Sequence, residues 1–331
     1  MTSPTVLVTG GAGYIGSHAV LALHDMGWPV AVIDDLSNGR REVVPEGVPF
    51  LQADVADKPA LEGYLREQQI GAIMHFAGSI VVPESVTNPL KYYRNNTVAS
   101  HSLIESAVAC GIRHILFSST AATYGAPEKV PVDEEDPKLP INPYGSSKLM
   151  TEVMLRDCSA AHGFNYGALR YFNVAGADPQ GRSGQASKGA THLLKVACEA
   201  AIGKRSHVDV FGTDYPTPDG TCIRDYIHVS DLADAHVAAL KALIANPDEN
   251  LTMNCGYGRG FSVLEMLDAL DKVNGAPVER RMGPRRAGDP PQLVASNRRL
   301  VERLGWSPRH DAIEHIIGTA LAFERRLAGQ E

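Results

Sequence analysis

A phenol and an ammonium stand four residues apart in the stretch INPYGSSKLMTE, as Tyr144 and Lys148. Residues at that spacing share a helix face, and a proline just before the tyrosine suits the first turn of a helix. A free tyrosine has a pKa of about 10, too high for a general base at neutral pH. A neighbouring ammonium favours the phenolate, and a phenol tuned in this way can take a proton from a hydroxyl. A surface aromatic–cation pair would show the same spacing, so the reading rests on what shares the pocket. Ser118, Ser119 and Thr120 follow the apolar run HILF, which reads as a strand. Ligands of open α/β sheets bind beyond the carboxyl ends of the strands. A hydroxyl placed there can bridge a substrate oxygen and the phenol. A tyrosine base, a lysine that tunes it and a bridging hydroxyl suit hydride transfer at a carbinol carbon, if a nicotinamide lies beside them.

The start of the chain offers a place for that nicotinamide. VLVTGGAGYIGS sets Gly10, Gly13 and Gly16 between a β-branched run and a helical pattern. Gly10 permits the tight turn, Gly13 lets a pyrophosphate approach the backbone at the helix N-terminus, and Gly16 lets the helix pack close to the sheet. A glycine turn alone would be weak. Asp34 strengthens it: it closes the second β run 18 residues after Gly16, where a carboxylate accepts hydrogen bonds from an adenosine ribose diol and repels a 2′-phosphate. NAD is therefore expected over NADP, although Arg40 and Arg41 a few residues on could hold a phosphate. Asp54, at the end of the third run, reads either as a contact to the adenine edge or as a solvated strand end. Phe76, Ala77 and Gly78 close the fourth run with small residues that suit a cofactor lying against the backbone.

These residues sit on a regular alternation of elements. TVLVTG, PVAVIDD, PFLQADV, IGAIMHFAG, RHILFSS and FNYGALRYFN read as strands, with helical patterns after most of them. The strand runs are continuously apolar, as in a parallel sheet covered on both faces. The fold class expected is α/β, a doubly wound, Rossmann-like parallel sheet with a smaller mixed α/β C-terminal substrate domain. The boundaries expected are 1–173 for the NAD-binding domain, with a returning segment near 224–245, and 174–331 for the substrate domain. The net charge of −7 over 331 residues argues against sequence-independent nucleic-acid binding. No apolar run approaches the length of a membrane span. The first residues, MTSPTVLVTGG, lack the marks of a signal peptide. Five scattered cysteines form neither a disulfide framework nor a metal spacing, so a cytoplasmic protein without metal is expected. The acidic run Asp133 to Asp136 reads as a solvated loop.

From about residue 5 to about residue 308 the chain resembles the extended short-chain dehydrogenase/reductase family, and within it the UDP-glucose 4-epimerase group. The stretches that carry the resemblance are VTGGAGYIGSH, HFAG, ESVTNPLKYYRNN, YGSSKLMTE, LRYFN, FGTDYPTPDGTCIRDYIHVSDLADAH and RRAGDPP. RDYIHVSDLADAH is far more specific than the glycine loop. The resemblance implies a UDP-sugar substrate, UDP-glucose and UDP-galactose being the expected pair, oxidised at C4 with bound NAD, rotated as the 4-keto sugar and reduced again. It implies Tyr144 as base, Lys148 as its tuner and Thr120 as the bridge to the 4-hydroxyl. It extends the cofactor contacts to Tyr14, Ile15, Asp35, Leu36, Ser37, Asn38, Val55, Asn95 and Phe172. It assigns the UDP-sugar to Asn173, His192, Leu193, Phe211, Arg224, Arg286, Asp289 and Leu293, with the arginines on the diphosphate and Phe211 and Asp289 beside the uridine.

There are departures. The bridging hydroxyl is usually a serine in the family, and here it is Thr120. A lysine common two residues after FAG is replaced by Ile80. An asparagine of the substrate domain is replaced by His192, which reads as a nucleotide contact or as a structural histidine. A bulky tyrosine often lies four residues after the aspartate of RRxGD, against C2 of the sugar, and that position holds Leu293. A dehydratase on the same scaffold would carry an acidic pair after the bridging threonine, where this chain has Ala121 and Ala122. Two further possibilities are a 4-epimerase of an N-acetylhexosamine, pentose or uronic acid, and a non-catalytic NAD-binding sensor. A homodimer is expected through the helices flanking the fifth strand, with Leu103, Ile104, Ala107, Leu149, Val153 and Met154 as interface positions, which core packing within one subunit would explain equally well.

Overall fold

The computed structural model describes residues 3–187, 189, 191–286 and 289–330. The first half runs β1 (Thr5–Thr9), α1 (Tyr14–Asp25), β2 (Val30–Asp34), β3 (Phe50–Gln52), α2 (Lys58–Glu67), β4 (Ile70–His75), α3 (Val82–Thr87), α4 (Pro89–Tyr92), a π-turn (Tyr93–Val98), α5 (Ala99–Ala109), β5 (His114–Thr120), α6 (Pro143–His162) and β6 (Asn165–Tyr171). The second half runs β7 (Asn173–Ala175), α7 (Leu193–Ala201), β8 (Val208–Phe211), β9 (Ile223–Arg224), β10 (Tyr226–His228), α8 (Val229–Ala245), β11 (Leu251–Cys255), β12 (Phe261–Ser262), α9 (Val263–Asn274), β13 (Arg280–Gly283), β14 (Gln292–Leu293), α10 (Arg298–Leu304) and α11 (Ile313–Leu327).

Seven strands form one parallel sheet in the order β11-β6-β5-β4-β1-β2-β3. Alternate residues of β1 serve opposite faces, as the strand period requires. Val6 and Val8 belong to the core that takes in Ala19, Val20 and Leu23 of α1 and Leu232, Val237 and Leu240 of α8. Leu7 belongs to the core that takes in Leu61 of α2, Leu103 of α5 and Leu155 of α6. Burial on both faces is why these strands are continuously apolar: every residue of β2 and of β6 is buried. The sheet also takes a seventh strand from the second half, because β11 pairs with β6 from Leu251↔Gly167 to Cys255↔Tyr171. This strand lies beyond the 224–245 return expected from the sequence, which covers α8. A separate core gathers Leu194 and Cys198 of α7, Val210 of β8, Leu267 and Leu270 of α9 and Ile316 and Ile317 of α11.

Strand order reverses between β1 and β4, the switch point where such sheets open a crevice for ligands. Thr9, His75 and Thr120 end their strands at that edge. The interface positions expected on α5 are placed differently: Leu103, Ile104 and Ala107 are buried in the subunit's own core, because α5 turns that face onto the sheet. Val98, Met150 and Val153 are the exposed apolar residues of this region. Among the described residues, no helix is long and apolar enough to cross a membrane.

Candidate active site

The start of α6 is built to hold Tyr144 in place. Asn142 caps the helix by accepting from the Gly145 N–H at 2.9 Å, with Pro143 in the first turn. Further along, Glu152 forms a buried ion pair with Arg170 of β6 at 2.6 Å, and Ser119 of β5 donates to the same carboxylate at 2.5 Å. Arg170 also donates to the Tyr124 hydroxyl at 2.9 Å. Glu152 therefore ties the helix carrying Tyr144 and Lys148 both to β6, through the ion pair with Arg170, and to β5, the strand carrying Thr120, through the hydrogen bond from Ser119.

Tyr144 and Lys148 are 6% and 2% exposed, and the buried Thr120 hydroxyl is a polar neighbour of the phenol. Burial pushes the Tyr144 phenol well above its ordinary value and Tyr171 adds to this, while the Thr120 hydroxyl opposes it. In the protein alone, withdrawal from water is the largest influence on the phenol. Lys148 donates to the Ser118 carbonyl at 3.1 Å and sits 4.8 Å from the centre of the Phe117 ring. Burial pushes its ammonium down to about 8. Tyr171, which the sequence pattern does not single out, is a buried neighbour of the Tyr144 phenol and accepts from Ser118 at 3.1 Å. Its only sequence signal is its place beside Phe172 in LRYFN.

The glycine loop has the shape of a phosphate cradle. Gly10 has φ +68, and a Cβ there would lie 2.7 Å from the Ala77 nitrogen. A Cβ at Gly16 would lie 2.1 Å from the Gly10 carbonyl oxygen, so helix and turn meet backbone to backbone. Gly13 caps α1 without a side chain, leaving the helix N-terminus to a ligand. Asp34 is buried and accepts from the Ala12 N–H at 3.0 Å and the Leu36 N–H at 2.8 Å. Burial raises its carboxyl, and those two amides pull it back towards the charged form. Arg40 is turned to Glu42 at 2.7 Å, and Arg41 lies 4.6 Å over the Phe50 ring, so each has a partner away from Asp34. Asp35 is exposed and accepts from Ser37, with Asn38 following it. Asp54 is exposed in a turn of its own, accepting from Ala56, while Val55 is core. Phe76 packs 4.8 Å from His236. The side chain of Tyr14 turns away, donating to the Gly176 carbonyl at 2.7 Å, and Ile15 packs on the core. Asn95 reaches the Ser79 hydroxyl at 3.0 Å. A glycine turn that no Cβ fits, an open helix N-terminus and a buried carboxylate at the end of β2 together fit NAD.

The residues assigned to a UDP-sugar fall into two groups. Asn173, His192 and Leu193 share the wall of one cavity of about 30 Å³ with Tyr14 and Tyr226. His192 sits at the N-terminus of α7, 3.3 Å from the Gln185 amide, and burial lowers its pKa. The second group lies on β8, β9, β14 and the segment that leads into β14. Arg286 lies 3.9 Å over the Phe211 ring, and Arg224, 7% exposed, faces Asp289 at 3.4 Å. Leu293 is the register partner of Arg224, and it packs with Ala121, Tyr124 and Phe172. Ala287 and Gly288 of the RRAGDPP stretch lie outside the described residues. The fold thus brings Leu293 next to the end of β5, the strand that carries Thr120. The loop substitution Ile80 is exposed.

A buried tyrosine at the start of α6 near the end of β5, a dinucleotide cradle at the end of β1 and Arg224 and Arg286 near β8 and β9 fit a nucleotide-sugar enzyme of the Rossmann type. Residues 6–256 match the NAD dependent epimerase/dehydratase family, and the chain belongs to it. It is 59% identical to the UDP-glucose 4-epimerase of Azospirillum brasilense, over 98% of this chain and 93% of that protein. The structure of UDP-glucose 4-epimerase from Brucella ovis in complex with NAD matches with a TM-score of 0.93 at 42% identity, covering 97% of this chain and 98% of that one. The UDP-Glc/GlcNAc 4-epimerase from Campylobacter jejuni matches with a TM-score of 0.85 at 44% identity, covering 98% and 100%.

Proposed function

We propose that this chain is an NAD-dependent UDP-sugar 4-epimerase that interconverts UDP-glucose and UDP-galactose. The observation that carries the reading is the burial together of Thr120, at the end of β5, and Tyr144 and Lys148, one turn apart at the start of α6. The glycine loop, Asp34, the Phe76–Gly78 loop and Lys148 would hold NAD, which would supply hydride acceptance and return at C4. Thr120 orients the sugar 4-hydroxyl towards the phenol. Tyr144 Oη takes the proton of that hydroxyl and gives it back when the carbinol re-forms. Lys148 holds positive charge near the phenol and would donate to the cofactor ribose. Arg224 and Arg286 hold the diphosphate while the sugar end turns over, with Asn173, His192 and Leu193 beside the nucleotide and Phe211 and Asp289 at the uridine. Buried donors aimed at developing charge are worth more than the same groups in water.

Ala121 and Ala122 argue against a dehydratase, since neither side chain can move a proton. The intact Tyr144, Lys148 and Thr120 argue against a sensor. For domain organisation we favour an NAD-binding unit of residues 1–173 completed by the later segments that return to its sheet. We favour a cytoplasmic homodimer whose contact uses Val98, Met150 and Val153. These three are exposed on adjoining elements, Thr97 meeting Met150 across them. The test is incubation of the purified protein with UDP-galactose and no added NAD, followed by product analysis. UDP-glucose is expected. A dehydrated keto sugar, or no product even after NAD is supplied, would overturn the reading.

A further inference from the structure

Behind the residues that would face NAD lies a run of buried polar groups with no part in the chemistry above. Thr9 and His75 are register partners at the ends of β1 and β4, with Thr9 Oγ1 2.7 Å from His75 Nδ1. His75 Nε2 is 2.8 Å from Ser100 Oγ in the first turn of α5, and the Ser100 hydroxyl donates to the Asn96 carbonyl. Thr9, His75, Ser100 and Asn96 are all buried.

The proton positions follow from donor and acceptor chemistry. A carbonyl can only accept, so the single proton of Ser100 points at Asn96. Ser100 must then accept from His75, which carries its proton on Nε2. Burial keeps His75 neutral, pushed down to about 3, so Nδ1 is bare and accepts from Thr9. Thr9 in turn accepts from the Ala77 N–H at 3.3 Å. The chain is directional from the Ala77 amide to the Asn96 carbonyl, and only one histidine tautomer completes it.

Asn96 makes the far end matter. It lies in the π-turn, a wide turn that often marks a functional position. Its side chain accepts from the Ser79 N–H at 2.7 Å and donates to the Ser79 carbonyl at 3.1 Å and to Ser147 Oγ at 3.0 Å. Ser147 donates to the Tyr144 carbonyl at 2.8 Å. A Cβ on Gly78 would lie 2.8 Å from Asn96 Oδ1 and 3.8 Å from Lys148 Nζ. Asn96 is the joint between the Gly78–Ser79 loop and the helical turn bearing Tyr144 and Lys148.

We propose that His75 is a positioning residue for the redox site: in its Nε2–H tautomer it locks Ser100 onto the Asn96 joint, and so fixes the gap between the Gly78–Ser79 loop and the Tyr144–Lys148 turn in which the nicotinamide ribose would sit. The proposal rests on the epimerase reading only for its kinetic readout. His75→Phe keeps the ring and removes both bonds. It should lower kcat by about 10–100-fold, leave KM for UDP-galactose within about twofold because none of the residues assigned to the nucleotide bonds to His75, and weaken NAD binding to apoprotein about tenfold by calorimetry. His75→Gln can still place a donor near the Nε2 position and should recover most of both losses. His75→Asn reaches only towards Thr9 and should not. A structural role alone would rank these variants by melting temperature, with no such split. Ser100→Ala, a small truncation, should reproduce the NAD defect if His75→Phe does not fold. Wild-type NAD affinity in both His75→Phe and Ser100→Ala, or equal recovery by Asn and Gln, would overturn the proposal. Failure of the wild type to convert UDP-galactose would sink the epimerase reading and leave the NAD measurement as the test of His75.

Discussion

The two ends of the candidate site are built by different means. At the cofactor end the backbone does most of the work. Gly10, Gly13 and Gly16 lie within seven consecutive residues, and the demands on them are steric: a Cβ at Gly16 would lie 2.1 Å from a carbonyl oxygen. At the sugar end the parts are side chains gathered from distant elements. Arg224 comes from β9, Leu293 from β14, Phe211 from β8 and His192 from the start of α7. The first end is a local pattern with few solutions. The second is an arrangement that several residue types could satisfy, so it is where substrate choice can vary while the chemistry stays.

That contrast predicts the largest effect where chemistry and cofactor meet. Tyr144→Phe removes the proton acceptor and should cut turnover by on the order of 10²–10⁴, with UDP-sugar binding nearly unchanged by calorimetry. Thr120→Ser should be mild and Thr120→Ala severe. Near-normal turnover in Tyr144→Phe would mean that the buried phenol is structural. The next effect tests the cofactor end alone. A carboxylate at the ribose repels a 2′-phosphate, so apoprotein should prefer NAD to NADP by at least on the order of 100-fold. Asp34→Ser should shrink the gap. Equal affinities in the wild type would mean that Arg40 or Arg41 leaves its present partner to bind the phosphate.

The same contrast explains what is legible in the sequence. Six of the seven sheet strands are readable as apolar runs, because both faces are covered in all of them but the half-buried edge strand β3. β11 escapes such a reading because five residues, LTMNC, separated by some 80 positions from β6, carry no sign of their partner. Tyr144, Lys148 and Thr120 are legible because an i, i+4 spacing and a strand end are local features. Asn96, Tyr171 and the Glu152–Arg170 pair are not, since their importance lies in tertiary hydrogen bonds. At the sugar end only resemblance points to Arg224, Arg286 or Leu293. The dimer positions on α5 show the same limit from the other side: Leu103 and Ile104 are apolar whether they face a partner or the core, and here they face the core.

Lys148 gives a pH signature with opposite signs for activity and stability. Its ammonium is pushed from 10.5 down to about 8 by burial. Activity that depends on the charged form should fall as pH rises through about 8, by roughly tenfold per unit once neutral lysine dominates. Lys148→Arg should be slower but should lack that limb. Stability should move the other way. Between about 8 and 10.5 the unfolded chain binds the proton that the folded chain has lost, so this group makes folding more favourable as pH rises. The difference in unfolding free energy between wild type and Lys148→Met, measured in denaturant at several pH values, reads this directly. A difference that stays flat across that pH window would place the lysine proton elsewhere.

The smallest effect on the main reaction is expected at the sugar end, from Leu293→Tyr. Leu293 is buried against Ala121, Tyr124 and Phe172 and pairs with Arg224, so a larger ring must either displace those neighbours or extend into the sugar cleft. Displacement would appear as overpacking, typically about 1–3 kcal/mol of lost stability. Extension into the cleft would leave stability near wild type and take space beside C2 of the sugar. A steric block excludes a substrate more strongly than an added apolar contact attracts one, the latter being worth only about 1–3 kcal/mol. Leucine should therefore admit an N-acetyl group, giving detectable conversion of UDP-N-acetylglucosamine and UDP-N-acetylgalactosamine, and Leu293→Tyr should remove that conversion while changing UDP-galactose turnover by no more than about threefold. Parallel assays on both sugar pairs, with a melting curve for the variant, separate the cases. If the wild type leaves UDP-N-acetylgalactosamine untouched, or the tyrosine variant still converts it, neighbouring side chains fill the space at Leu293 and the gate lies elsewhere in the β9–β14 group.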